Sequence, residues 1–148
     1  MLFQHTVKLI LSGKKTQTRR VIKSSEIAVR GRNNQIEAVV VNGRDKWRVG
    51  KTYAVQPSRG KEQVARIKLI AINSERISRI TTSDAHAEGF KSRHEFFKVW
   101  CKIHGEDGVN MRAWVLKFEV VNATKQADEL SQPPQKHDRR IREPANAY

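Results

Sequence analysis

Apolar and polar residues alternate along much of the chain, as they do in strands that bury one face and expose the other. In residues 65–71 every second position is apolar and the early intervening positions are charged, and residues 113–121, AWVLKFEVV, have a similar alternation. Runs rich in β-branched residues at 16–22, and on both sides of the turn-forming segments 31–34 and 57–60, predict further strands. The pattern predicts roughly five to seven strands in all.

Two regions have helical spacing instead. Val7, Ile10 and Leu11 fall on one face of a short helix, and Gly13 supplies the left-handed residue that commonly ends one. The second region contains a turn at 83–90 and then a longer helix that begins at a capping box. The residues that define the longer helix are Ser92 and Glu95 at its start, the apolar stripe Phe96, Phe97, Trp100 and Ile103, and Gly105 at its end.

The order of these elements predicts the architecture. Strands outnumber helices and are not separated by regular crossovers, so we predict an α+β chain that forms a small mixed β-barrel with two or three flanking helices. The 148 residues are enough for one domain, which we place at residues 1–122. Residues 123–148 are polar, contain prolines and have almost no large apolar side chains, so we predict a flexible basic tail.

Charge adds a prediction about partners. The chain has 29 Lys and Arg against 15 Asp and Glu, a net charge of +14. Residues 1–68 hold 16 basic and 4 acidic side chains, so the positive charge is concentrated in the N-terminal half. Such an excess indicates an anionic partner, with RNA or DNA ahead of a membrane surface.

The remaining composition predicts a cytoplasmic protein. The single cysteine, Cys101, cannot form an internal disulfide, and the first residues lack the cleavage site of a signal peptide. No run approaches the roughly 18 apolar residues that a membrane span needs. The sequence also has no zinc-like spacing, and we expect neither a metal nor another cofactor.

The segment GKKTQTRR, residues 13–20, concentrates basic side chains beside a predicted strand. Alone, it is more typical of a solvated loop than of a binding site. Further basic residues in the neighbouring hairpins favour a phosphate-binding surface on which an aromatic ring could stack a base, although such a ring could equally belong to the core. The nucleic-acid-binding candidates are Lys14, Arg19, Arg20, Trp47, Arg48, Arg59 and Arg66.

Lys15 and Thr18 also allow a catalytic interpretation. A threonine hydroxyl becomes a nucleophile when a base removes its proton, and a lysine whose pKa is lowered by burial and nearby cations can serve as that base. Positions 15 and 18 face opposite sides of a regular strand, so the pair requires a bend near Thr16. Asp84 and Glu88 share one face of a helical turn and could orient Lys15, but roles at a helix end and on the surface explain them equally well.

Several motifs occur together in a fixed order: ILSGKKTQTRR, WRVGKTYAVQPSR, ARIKLIAINSERISRITTSDAHAEGF, FFKVW and WVLKFEV. With these motifs the chain resembles the ASCH domain of the PUA-like superfamily over about residues 2–121. The resemblance implies a PUA-like β-barrel, a cleft bounded by GKKTQTRR, and a role in RNA or nucleoside binding. Residues 24–45 and those after Asn122 fall outside it.

The resemblance also implies a possible chemistry. Some small members of the superfamily are similar to N4-acetylcytidine amidohydrolases, whose proposed catalytic set is a Lys, a Thr three residues later and a downstream Glu. In this chain the matching residues are Lys15, Thr18 and Glu88. Other relatives resemble phage or prophage proteins of unassigned role. We therefore expect binding of nucleic acid, above all RNA, or of a nucleotide in a basic cleft. The alternative is deacetylation of N4-acetylcytidine or a related acylated nucleoside, without a metal.

Overall fold

The computed structural model describes residues 1–3 and 6–123, and this part of the chain contains seven strands and three α-helices. The strands are β1 (Gln17–Val21), β2 (Ile27–Arg30), β3 (Ile36–Val41), β4 (Arg44–Arg48), β5 (Thr52–Val55), β6 (Ala65–Arg76) and β7 (Arg112–Ala123). The helices are α1 (Val7–Leu11), α2 (Thr82–Ala87) and α3 (Arg93–His104). The tail predicted at 123–148 lies outside the described residues, apart from Ala123 at the end of β7.

The seven strands form one antiparallel sheet, whose main path runs β1, β7, β6, β3, β2. Strand β4 pairs with β3, and β5 pairs with β6. The two 12-residue strands β6 and β7 lie next to each other, paired from Ala65 and Ala123 to Arg76 and Arg112. The predicted α+β class is confirmed. None of the three helices in residues 1–3 and 6–123 has the length and apolar character of a membrane span.

Strand β6 departs from strict alternation. Ala65, Ile67 and Leu69 are buried, as predicted. The register against β7 then shifts between Leu69 and Ala71, which is the effect of an extra residue in one strand. As a result Ile72 is buried where continued alternation would have buried Ala71.

Local sequence explains several of the connections. Asn42 and Gly43 have φ angles of 52° and 77°, as a two-residue type I′ turn requires, and they join β3 to β4. The Ser92 hydroxyl accepts a hydrogen bond from the Glu95 N–H at 3.0 Å, so half of the predicted capping box is present at the start of α3. Gly105, with φ of 89°, ends that helix.

The described residues pack into two hydrophobic cores. The barrel core lies between the strands and α1 and includes Phe3, Ile10, Ile67 and Leu116. The helical core lies under α2 and α3 and is built from Ile77, Ile80, Ala85, Phe96, Trp100 and Ala113. Val21 at the end of β1 packs against the helical core, so β1 runs along the boundary between the two.

Candidate functional site

The end of α2 places Glu88. Glu88 is the C-cap residue, and Gly89 follows it with φ of 100°. The N–H of Gly89 donates to the His86 carbonyl and the N–H of Phe90 donates to the Ala85 carbonyl, both at 2.9 Å. These two bonds form a Schellman motif, which a glycine after the C-cap favours. The turn directs the Glu88 side chain into the protein, where the residue is only 3% exposed.

Backbone hydrogen bonds hold the segment before β1 against α1 and α2. The Lys15 N–H donates to the Leu9 carbonyl at 2.9 Å, and the Thr16 N–H donates to the Ala87 carbonyl at 2.8 Å. Thr16 also accepts from the Phe118 N–H at 3.0 Å, and the regular strand begins only at Gln17. The chain therefore passes directly beside Glu88 before it enters the sheet.

Glu88 is the centre of a cluster of buried and half-buried side chains, which we call the Glu88 network: Lys15, Gln17, Arg19, Glu75, Asp84 and Glu88. The Lys15 ammonium donates to the Glu88 carbonyl at 2.9 Å and lies 3.4 Å from its Oε1. Gln17 Nε2 donates to Glu88 Oε2 at 3.4 Å, and Arg19 Nη1 donates to the same oxygen at 2.9 Å. Lys15, Gln17 and Arg19 occupy alternate positions, so their side chains converge from one side of the chain.

Arg19 has further carboxylate partners. Its Nη2 pairs with Glu75 Oε1 on β6 and lies 3.5 Å from Asp84 Oδ2 on α2. The Arg19 side chain is 1% exposed, and a guanidinium at that depth requires charged partners. Three carboxylates thus surround this one cation.

Burial affects the acid–base chemistry of the remaining cations. It lowers the pKa of Lys15, and Arg20 and Arg19 lower it further, while the Coulombic attraction and hydrogen bond of Glu88 partly oppose the shift. Burial also lowers the pKa of Arg20, although a guanidinium stays charged at neutral pH. Lys15 is therefore easier to deprotonate than a surface lysine.

A cavity of about 410 Å³ lies next to the Glu88 network, and we call it the Thr18 cavity. Its polar wall comes from the basic segment and Glu88, and its apolar wall comes from the N-terminal residues and α3. The residues that line it are Leu2, Phe3, Thr6, Lys15, Thr18, Arg19, Arg20, Glu88, Phe90, Phe96, Val99, Trp100 and Ile103. This volume is in the range of sites for small ligands, roughly 300–1,000 Å³.

The three predicted catalytic residues line this one cavity. Lys15 and Thr18 both line it although they are three positions apart, and Lys15 lies before β1, which begins at Gln17. Among the described residues, the Thr18 hydroxyl has no hydrogen-bond partner, and no hydrogen bond joins it to the Lys15 ammonium. A ligand in the cavity would thus meet, among the described residues, a hydroxyl without a hydrogen-bond partner and a buried amine in the same lining.

The predicted nucleic-acid-binding residues are spread over the molecule. Arg19 is held by the carboxylates described above, and Arg20 lines the Thr18 cavity. Trp47 is 8% exposed and belongs to the barrel core. The other four lie outside the cavity: Lys14 and Arg59 are exposed, Arg48 pairs with Asp45, and Arg66 donates to Thr52. Phosphate contact or base stacking by these residues stays a prediction.

Sequence reasoning missed Gln17 and Glu75. Gln17 could have been found from its spacing, because it lies between Lys15 and Arg19 on the same side of the chain. Glu75 gave no local signal, since it is 56 residues from Arg19 and meets it only through the sheet. The sequence predicts nucleic-acid binding for Arg19, so it offers no reason to look for a carboxylate partner elsewhere in the fold.

Solved structures that are similar to this one include the following two. The protein EF3133 from Enterococcus faecalis V583, described as a DUF984 family member, has a TM-score of 0.54 and 16% identity, covering 82% of this chain and 73% of its own. The ASCH domain from Lactobacillus crispatus JV V101 has a TM-score of 0.50 and 19% identity, covering 78% of this chain and 69% of its own.

No protein-family model matches the sequence, and no curated protein is detectably similar to it. The structural likeness at 16% and 19% identity carries information on the fold. The chain has an ASCH-like fold with a small α+β architecture, as the sequence resemblance predicted.

Proposed function

We propose that the protein binds RNA or a nucleotide and accommodates one base in the Thr18 cavity. The observation that carries this proposal is the composition of the cavity, which combines aromatic side chains with hydrogen-bonding groups. Phe90, Phe96 and Trp100 supply apolar surface, and Thr18 supplies an unpaired hydroxyl. Proteins that recognise single-stranded nucleic acid commonly combine stacking surfaces with polar contacts to an unstacked base.

The charge distribution supports the same proposal. The described residues together with Gln4 and His5 carry nearly all of the net +14, because residues 124–148 hold five basic and four acidic side chains. Exposed cations outside the cavity, such as Lys14 and Arg59, are available to a nucleic-acid backbone. Such contacts release counterions, so binding should weaken with salt.

The test is to measure affinity for single-stranded RNA and DNA of roughly 12 nucleotides at about 50 mM and about 200 mM salt. We expect binding at low salt that falls steeply at high salt. Thr18→Val removes the hydroxyl with little change in shape and should weaken binding, while the matched change Thr82→Val, at an exposed site on α2, should not. If nothing binds even at low salt, the proposal is wrong.

A second function is favoured by one specific observation: Lys15, Thr18 and Glu88 line the same cavity. We propose as the alternative that this set hydrolyses the acyl amide of an N4-acylated cytosine nucleoside. The lowered pKa of Lys15 makes its proton easier to remove, which suits a general base. Glu88 holds the Lys15 side chain in position through the 2.9 Å and 3.4 Å contacts.

In this alternative, Lys15 removes the Thr18 proton and the hydroxyl oxygen attacks the acyl carbonyl carbon. The bond from carbon to N4 then breaks, and the Lys15 ammonium returns the proton to the leaving amine. Water hydrolyses the acyl-threonine ester, which releases the acid and restores Thr18. Since no hydrogen bond joins Lys15 to Thr18 among the described residues, the proton transfer requires closer approach with ligand bound or one bridging water.

Deacetylation of N4-acetylcytidine tests the alternative directly. Thr18→Ala should lower kcat by roughly 10²–10⁴-fold, and Thr82→Ala should leave it unchanged. Mass spectrometry of wild type after rapid quenching should detect one acetyl group on Thr18. Equal turnover by wild type and Thr18→Ala would show that the nucleophile is wrongly assigned.

A further inference from the structure

Arg20 differs from the other two cations that line the Thr18 cavity. Lys15 is paired with Glu88, and Arg19 is paired with Glu75, Asp84 and Glu88. Among residues 1–3 and 6–123, no carboxylate lies within 4.0 Å of the Arg20 guanidinium. In the described residues, Lys15 and Arg19 thus have carboxylates in direct contact, whereas Arg20 is attracted by Glu88 only from beyond 4.0 Å.

The hydrogen bonds of Arg20 are also incomplete. A guanidinium has five N–H donors. In the described part of the chain, Arg20 Nη2 donates to the Leu2 carbonyl at 2.9 Å, and this is the one hydrogen bond of the side chain. Among the described residues its Nε donor is buried without a partner, as is the Nε of Arg19. An under-used charged donor group of this kind costs free energy that a matching acceptor would recover.

The orientation of Arg20 is nevertheless well defined. Its guanidinium carbon lies 5.3 Å from the centre of the Phe3 ring, a cation–π contact, and the Leu2 carbonyl holds its Nη2. Thr18 and Arg20 are two positions apart on β1, so they lie on the same face of the strand. A ligand that reaches Thr18 thus meets a fixed, unpaired cation about two residues along the strand, roughly 7 Å away.

We propose that Arg20 binds the phosphate group of a nucleotide whose base occupies the Thr18 cavity. The inference rests on the proposed function and specifies its ligand class: a phosphate-bearing nucleotide rather than a neutral nucleoside. Arginine binds phosphate through two parallel N–H groups, and the Nη1 side of Arg20 has no partner among the described residues. The sequence predicts this contact for Arg19 and Arg20 alike. Because three carboxylates already pair with Arg19, Arg20 is the better candidate for binding phosphate.

The experiment is calorimetric titration of the full chain with cytidine, cytidine 5′-monophosphate, a cytidine dinucleotide with one phosphodiester, and inorganic phosphate. We expect the monophosphate or the dinucleotide to bind wild type at least about tenfold more tightly than cytidine. The comparison between those two ligands separates a free phosphomonoester from a phosphate within a strand. Tight binding of inorganic phosphate alone, at the same affinity as the nucleotides, would overturn the proposal, because the base would then contribute nothing.

Variants of Arg20 test whether this residue causes the preference for phosphate esters over cytidine. Arg20→Gln should reduce the preference for phosphate, the ratio of the two affinities in the same variant, to within about twofold, and Arg20→Lys should keep part of it. Arg79→Gln removes an exposed cation outside the cavity and should behave as wild type. A phosphate preference that survives in Arg20→Gln would overturn the assignment.

The wild-type titrations separate the two proposals without any variant. If cytidine and its phosphate esters bind equally, the role of Arg20 is wrong and the base-binding function stands. If none of them binds, the proposed function fails for cytosine ligands and the inference on Arg20 fails with it.

Discussion

At the scale of single residues, Glu88 has the largest structural role in the site. It is almost fully buried, and it accepts hydrogen bonds from Lys15, Gln17 and Arg19. Removing one partner of a buried ionic cluster leaves the other charges uncompensated, which costs more than the net stabilisation that the intact cluster provides. The same residue is thus needed to keep both Lys15 and Arg19 inside the protein.

We predict that Glu88→Ala lowers the free energy of unfolding by about 3–5 kcal/mol, because two buried cations lose a carboxylate. Glu88→Gln should cost less, since the amide oxygen can still accept a hydrogen bond. Urea unfolding measures both effects, and the exposed Glu62→Gln is the control. If the free energy of unfolding falls no further than in the control, solvent compensates the charges of Lys15 and Arg19 in place of Glu88.

The lowered pKa of Lys15 gives a second prediction, on pH. The pKa of Lys15 in the folded protein lies below the ordinary lysine value of 10.5. At pH values between the folded pKa and 10.5, the unfolded chain therefore binds more protons than the folded one. The contribution of Lys15 to the free energy of unfolding should therefore rise with pH across that interval. Below it, the contribution should be constant.

The measurement compares urea unfolding of wild type and Lys15→Met from neutral pH to about pH 10.5. The free energy of unfolding of wild type should increase relative to that of Lys15→Met as the pH rises. Lys61→Met, at an exposed position, should give a difference that does not change with pH. A shift in the opposite direction would mean that attraction to Glu88 outweighs burial.

The sequence was informative about which residue types meet in the site. The sequence predicts a catalytic set of Lys15, Thr18 and Glu88, and these three residues line one cavity. The sequence could not separate Arg19 from Arg20, because neighbours on a strand look alike in composition while one is buried among acids and the other is not. That distinction depends on Asp84 and Glu88 from the α2 region and on Glu75 from β6, two strands away from β1 in the sheet.

At the scale of secondary-structure elements, the short helix α2 matters through the way it ends. Its Schellman motif requires Gly89 at a φ of 100°, outside the region that other residues adopt readily. A Cβ atom at this position would also lie 2.9 Å from Leu9 Cδ1 and 3.6 Å from Lys15 Cβ. Gly89 therefore allows α2 to approach α1 and the basic segment closely.

We predict that Gly89→Ala lowers the free energy of unfolding by roughly 2–3 kcal/mol, from backbone strain together with the contact on Leu9. Gly43→Ala is the matched control: its φ is also positive, but a Cβ atom there would meet nothing within 4 Å. Urea unfolding of both variants separates strain from crowding. Equal losses would show that Leu9 moves aside without cost.

Most elements were predictable from the periodicity of apolar residues and from the residues that form turns and helix caps. The capped helix α3, the Asn42–Gly43 hairpin and the strand β1 follow from residues close in sequence. The bulge in β6 was not predictable, because the register shift is set by pairing with β7, some 50 residues later in the chain. Local sequence patterns thus predict the helices and strands, whereas irregularities such as the β6 bulge depend on pairing with a distant strand.

At the scale of the whole molecule, net charge is a property of residues 1–123 more than of the tail. Residues 124–148 hold five basic and four acidic side chains, so they add only +1 to the total of +14. If charge drives the proposed binding to RNA, removing this segment should have little effect on affinity.

We predict that a chain ending at Ala123 binds single-stranded RNA within about threefold of the full chain, with nearly the same dependence on salt. The comparison variant, Lys14→Gln with Arg59→Gln, removes two exposed cations from the described part and should reduce the salt dependence. A steep loss of affinity in the shortened chain would instead assign phosphate contacts to basic residues of the tail, such as those in DRRIR at 138–142.

The Thr18 cavity touches both hydrophobic cores, with Phe3 on the barrel side and Phe96 and Trp100 on the helical side. A compound that binds there in the folded protein and not in the unfolded chain raises the free energy of unfolding. By mass action, a ligand at about 100 times its Kd adds about 2.7 kcal/mol to the folded state. Thermal melting of the unlabelled protein can therefore rank a library of nucleotides and modified nucleosides before any assay of chemistry exists.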